Sequence, residues 1–142
     1  MIKADQLKPF CGSDPEKPWL HLPFSNGDFT FATDGRIAVR VPRLVDVDEV
    51  ENTPNAAVLF RTAFVRMSRA KWQALPILPA TAEGLQRLEF GPGQFNAHYI
   101  HLIAGLPSAQ LSPGEDDLSA LRIRSQPFEL LGLLMPLRRE GA

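Results

Sequence analysis

Asn26-Gly27 and Asp34-Gly35 stand one short strand's length apart, and each pair tolerates the positive φ angles of a tight hairpin turn. Together they predict three antiparallel strands over residues 19–24, 28–33 and 36–41, a meander. With Asp34 and Gly35 as a two-residue loop, Ala32 faces Ile37 and Thr30 faces Val39 on one side, while Phe31 faces Ala38 and Phe29 faces Arg40 on the other. Both faces of the hairpin are then partly apolar. The chain's 13 prolines, roughly twice the usual share, point the same way. They divide it into short elements joined by turns, which suits small strands better than a bundle of long helices.

The rest of the chain carries a second set of such signals. Residues 4–10 have room for about two helical turns before Pro9 and Gly12 stop them. Residues 46–54 are acidic and polar, a solvated connection; Asp46, Asp48, Glu49 and Glu51 lack the glycine-centred spacing of a cation loop. Beyond it, Ser68 is placed to cap a short helix running through Leu75 to the stop at Pro76. A longer helix from Arg61 is the competing reading, with Thr62, Arg66, Arg69 and Gln73 on one face. The clearest helix is 97–104, with Asn96 as N-cap, Gly105 just past its end and Pro107 beyond. Its polar stripe is Gln94, His98, His101 and Gly105, and the remainder is apolar, so most of it is expected to be buried. His98 and His101 share one turn at a metal-chelating spacing without a third ligand, which reads as two histidines at the solvent edge. Strands are expected again over 106–111, 118–124 and 128–135, with turns at Pro113-Gly114-Glu115-Asp116 and Ser125-Gln126-Pro127.

Charge and composition narrow the function. At 142 residues the chain fits one domain, read as a first half over 1–43, a connection with a candidate helix over 44–85 and a second half over 86–139. Cys11 is the only cysteine, so no internal disulfide forms, as suits a reducing cytoplasm. The charged opening residues do not resemble a signal peptide, and the longest apolar stretch, 130–137, is less than half of what spans a bilayer. A cytoplasmic protein without membrane contact is the expectation. The net charge of −1 supplies no general attraction to nucleic acid, so phosphate contacts would fall to Arg61, Arg66, Arg69 and Lys71. No glycine-rich phosphate loop, nucleophile motif or metal set is present, and no cofactor is expected. Cys11 with a histidine, His21 for example, is a thiolate pair that an enzyme could use.

The layout, helix plus meander followed by strand, helix and meander, has the outline of a duplicated unit. On that frame Phe31-Ala32-Thr33-Asp34-Gly35-Arg36-Ile37-Ala38-Val39 resembles the Thr-Asp-Gly hairpin of bacterial and phage DNA sliding clamps, the DNA polymerase III beta subunit family. Three later segments resemble, in the same order, the strand, helix and Met-Pro-x-Arg tail that close such a clamp. They are Leu88-Glu89-Phe90-Gly91, Phe95-Asn96-Ala97-His98-Tyr99-Ile100 and Leu133-Leu134-Met135-Pro136-Leu137-Arg138. The matched pieces total 25 of the 142 residues.

The resemblance implies an α+β fold of antiparallel β meanders with one or two short helices per sheet, a single clamp domain built as a duplicated β-α-β-β-β unit. It implies a protein without catalysis that docks a partner's short apolar peptide in a pocket. The carried-over pocket residues are Thr33, Gly35, Arg36 and Ile37 with Met135, Pro136, Leu137 and Arg138. It also implies assembly of several copies, since one domain cannot enclose a duplex, and double-stranded DNA as a partner. Two departures weigh against a full clamp. The His-Arg pair usual after the glycine is reduced to Arg36, and the polar stripe of helix 97–104 carries no lysine or arginine. Two binding roles follow: a replication accessory, or processivity factor, of a phage or plasmid, and a clamp-fold inhibitor or decoy that captures a host protein without encircling DNA.

Overall fold

A computed structural model describes residues 2–50, 71–76 and 87–137. The chain is α+β and mostly antiparallel sheet. The strands among the described residues are β1 (Phe24–Asn26), β2 (Phe29–Thr33), β3 (Ile37–Pro42), β4 (Gln73–Ala74), β5 (Arg87–Phe90), β6 (Gly93–Asn96), β7 (Ala109–Ser112), β8 (Leu121–Ser125) and β9 (Leu130–Leu134). Helix α1 is Ala4–Leu7, continued by a 3-10 turn Lys8–Phe10, and α2 is Ala97–Ala104. Seven strands form one sheet in the order β1-β2-β3-β9-β8-β7-β4, and β5 with β6 form a separate hairpin. The two expected meanders, β1-β2-β3 and β7-β8-β9, are therefore fused edge to edge through antiparallel pairing of β3 with β9.

The turn glycines behave as read: Gly27 has φ 60° and Gly35 φ 94°, conformations that favour a residue without Cβ. Three expectations are corrected. Residues 19–24 are not a strand. Pro18 opens a 3-10 turn, Pro18–Leu20, and Pro23 has no N–H to give a ladder, so pairing starts at Phe24. The hairpin register slips by two: Thr33 pairs with Ala38, Ala32 with Val39 and Phe31 with Arg40. An even slip leaves every side chain on its expected face. The third correction falls on the helix through Leu75. Gln73–Ala74 is extended and pairs with β7, because an exposed sheet edge offers those two residues ladder bonds that an isolated turn of helix cannot match. The helix reading over 61–70 lies outside the described residues. Smaller trims come from local turns. Leu118 sits in an Asp116-capped loop 68% exposed, and a 3-10 turn Gln126–Phe128 delays the last strand to Leu130.

Helix α1 with its 3-10 continuation, and helix α2, cover one face of the sheet. Leu7 and Phe10 from the first, and Tyr99, Ile100 and Ile103 from the second, share a core with Ala32, Ile37, Val39, Val41, Leu111, Leu121, Ile123, Leu130 and Leu134. Each large side chain removed from water there stabilises the fold by about 1.5–3 kcal/mol before entropy is counted. The opposite face buries a smaller group, Phe24, Phe31 and Leu133, flanked by Phe29, Ala38 and Ala120. Arg40 lies over the Phe29 ring at 4.1 Å from its centroid. Helix α2 has the expected bounds: Asn96 Oδ1 accepts from the His98 N–H at 3.0 Å, and Gly105 is the C-cap. No described helix is long and apolar enough to cross a membrane.

Candidate functional site

The hairpin tip is organised by Asp34. Its Oδ1 accepts from the N–H groups of Arg36 (2.8 Å) and Ile37 (2.9 Å), while the Thr33 hydroxyl donates to the Ile37 carbonyl (2.8 Å) and accepts from the Gly35 N–H (3.0 Å). These side-chain bonds hold Asp34, Gly35 and Arg36 as the link between β2 and β3, one residue longer than the expected two-residue loop. The other carboxylate oxygen, Oδ2, accepts from the Tyr99 hydroxyl, tying the hairpin to α2. Leu20 backs the tip, its Cδ1 3.9 Å from where a Cβ on Gly35 would stand.

The C-terminal segment meets this tip. The Met135 N–H donates to the Arg36 carbonyl at 2.9 Å, extending the β3–β9 seam, and the Leu137 N–H donates to the Gln94 carbonyl at 2.7 Å. Met135 is 48% exposed, Arg36 and Gly35 are exposed, and Thr33, Pro136 and Leu137 are half-buried. Ile37, at 1% exposure, is a core residue that supports the tip from below. Of the sequence-read pocket residues, Arg36 and Met135 meet through that backbone bond, Leu137 is bonded to Gln94 and Ile37 belongs to the core, while Arg138 lies outside the described residues. So do Arg61, Arg66 and Arg69. Lys71 is exposed at the far edge of the sheet, beside β4. Two concavities among the described residues lie away from the tip, one at Ile2, Leu44 and Phe128 and one at Lys71, Ser112 and Arg122.

The remaining candidates resolve simply. His98 and His101 are both exposed, and no cluster of three metal-ligating side chains occurs among the described residues. In the acidic connection, Glu49 pairs with Arg43 at 3.6 Å. The His21 ring nitrogen Nε2 is bonded to the Asp14 carbonyl at 2.6 Å. The Cys11 thiol is pushed up to about 11, chiefly by burial and further by the Asp34 charge, against a Thr33 backbone hydrogen bond and Lys8. A nucleophile needs the opposite shift.

Burial, followed by its hydrogen bond to the Asp34 carboxylate and that group's charge, also raises the Tyr99 phenol. Both groups are acids that the fold keeps neutral. Their stabilisation is complete below the unfolded values, 9.0 for the thiol and 10.0 for the phenol, and is lost as pH rises through the folded ones. The melting temperature is therefore expected to hold to about pH 9 and then fall. In a Cys11→Ser variant the segment of that fall between 9 and about 11 should flatten. Parallel curves for the two proteins across that range would contradict this.

Sequence reasoning did not foresee the Tyr99 link to Asp34. The available signal was an aromatic residue with a hydroxyl on the apolar face of α2, since a buried tyrosine hydroxyl needs a partner. Comparison with protein-family models, with curated proteins and with solved structures finds no match to this chain.

Proposed function

We propose that this chain is a non-enzymatic binding protein, similar to one sliding-clamp domain, that docks a short apolar peptide of a protein partner across the Asp34-Gly35 tip and the Met135–Leu137 segment. The observation that carries the reading is the Met135 N–H bond to the Arg36 carbonyl, which sets a half-exposed methionine beside an exposed arginine. A flexible thioether accommodates varied apolar side chains, and arginine gives direction at the rim. Trp19 (56% exposed) and Leu22 (61%), chain neighbours of the Leu20 that backs Gly35, add apolar surface near the tip. The order β6-α2-β7-β8-β9 in the second half and α1-β1-β2-β3 in the first supports kinship with a duplicated β-α-β-β-β unit.

Of the two clamp-like roles, the inhibitor or decoy that does not encircle DNA is favoured by α2. Its exposed side chains include His98 and His101 and no fixed positive charge to meet phosphates. Sedimentation equilibrium separates the roles: a monomer fits the decoy, a closed oligomer retained on circular duplex DNA fits the processivity factor.

Docking is tested by fluorescence anisotropy with extended peptides carrying leucine and phenylalanine on alternate positions, against charge-substituted controls. Met135→Asp is expected to weaken the apolar peptide by about ten-fold or more, about 1.4 kcal/mol, with an unchanged melting temperature. Peptide affinity that survives this substitution in the folded variant would remove the surface from consideration.

A further inference from the structure

Ser112 closes β7 at 1% exposure, and its hydroxyl has no hydrogen-bond partner among the described residues. The other buried serine and threonine hydroxyls among the described residues are satisfied: Ser25 with Thr30 at 2.8 Å, and Ser125 to the Pro107 carbonyl at 2.7 Å. An orphaned buried hydroxyl is costly, and where one persists an ion or water that completes it is the usual explanation. This one lines a cavity of about 260 Å³ together with Lys71, Gln73, Gly114, Glu115 and Arg122.

The sheet assembles that set from three strands. Ser112 and Arg122 are cross-strand partners on β7 and β8, so their side chains rise from the same face. Edge strand β4 pairs with β7 and brings Gln73, with Lys71 just before it, to the rim. The remaining wall is a preformed loop. Asp116 Oδ1 accepts from the Leu118 N–H and the Ser119 hydroxyl, both at 2.9 Å. Gly114 packs so closely that a Cβ there would stand 2.2 Å from that of Ser119.

Lys71, Arg122, Gln73 and Ser112 are an ammonium, a guanidinium, an amide and a hydroxyl, all able to donate to one acceptor-rich group. Glu115 is the single negative charge in the lining. The volume lies below the roughly 300 Å³ at which pockets for drug-sized ligands begin, so the occupant is small. We propose that this cavity binds a phosphate-type oxyanion, with Lys71 and Arg122 supplying charge, Ser112 a buried hydroxyl donor and Glu115 setting the affinity from the rim. The oxyanion is either free phosphate or a phosphate of a nucleic-acid backbone. The site is independent of the peptide-docking surface, which lies across the sheet at the β3–β9 seam.

The test is amide NMR of the full chain titrated with inorganic phosphate, ionic strength held constant with sodium chloride. Saturable shifts at Ser112, Gly114 and Lys71 with a dissociation constant on the order of millimolar are expected. Lys71→Ala should weaken binding by about ten-fold, and Glu115→Gln should tighten it. Ser112→Ala should melt no lower than the unmutated protein without phosphate, because it removes an unpaired group, yet lose the phosphate-dependent rise in melting temperature. A lower melting temperature for Ser112→Ala in both conditions would make the hydroxyl structural and overturn the proposal. Shifts that never saturate, or that Lys71→Ala leaves unchanged, would do the same. A short DNA duplex, added in parallel, distinguishes the source. Competition between duplex and phosphate at the same amides assigns the backbone, and phosphate binding without duplex binding assigns the free anion.

Discussion

Asp34→Ala is expected to lower the unfolding free energy by about 3–5 kcal/mol, a large share of the 5–15 kcal/mol typical of a domain. The side chain accepts three hydrogen bonds, two from the backbone at Arg36 and Ile37 and one from the Tyr99 hydroxyl. Bonds to an ionised acceptor contribute about 1.5–3 kcal/mol each when shielded, and less at a half-exposed tip such as this one. The loss at Tyr99 counts most. Tyr99 is only 9% exposed, and without Asp34 its hydroxyl beside the core loses its protein acceptor. Asp34→Asn keeps acceptors for the turn and should fall between the two. A double-mutant cycle with Tyr99→Phe isolates the helix-to-hairpin link, with an expected coupling of about 1–2 kcal/mol. Urea unfolding gives these values. A loss below about 1 kcal/mol for Asp34→Ala would mean that the turn and the seam hold without the carboxylate.

Ile123→Ala should cost about 2–5 kcal/mol, lowering the melting temperature by roughly 5–20 °C, with an unchanged denaturant slope. Ile123 is fully buried in the middle of β8, between Leu111 on β7 and Gly132 on β9. The void would be poorly filled, because the facing residue is a glycine with no side chain to move into it. Gly132 itself has no spare room. A Cβ there would meet the Ala38 carbonyl and Val39 Cγ1 at 3.0 Å and Ile123 Cβ at 3.3 Å. Leu118→Ala, at an exposed loop position, is the control and should stay within about 0.5 kcal/mol. Equal losses at the two positions would show that β8 is not the centre of the core.

The contrast between local and distant signals explains what could be read from the chain. Asn26-Gly27, Asp34-Gly35 and the Asn96 and Gly105 caps act within a few residues, so the hairpin turns and the bounds of α2 were open to sequence reading. The slip in register was not, because it depends on whether the Asp34 carboxylate bonds its own loop or faces solvent. Gln73–Ala74 becomes a strand only because β7 presents an edge. At the candidate site, the meeting of Met135 with Arg36 came from resemblance alone, since nothing in the periodicity of either segment specifies the other. Ser112 gave no signal, a serine at a strand end being ordinary until its hydroxyl is found buried and unpaired.

The pairing of β3 with β9 also bears on how the fold is reached. Each meander closes through short loops, and such steps take microseconds. The seam from Ile37 with Leu134 to Arg40 with Leu131 joins residues about a hundred positions apart. Its closure entropy is offset only once both halves exist, so the seam is expected to form late and to slow folding relative to the local hairpins. Until it forms, β3 and β9 are unpaired apolar edges, and the tip that holds Arg36 against Met135 does not yet exist. The proposed docking surface is thus expected only in chains whose two halves have joined, since the Met135 N–H reaches the Arg36 carbonyl across that seam.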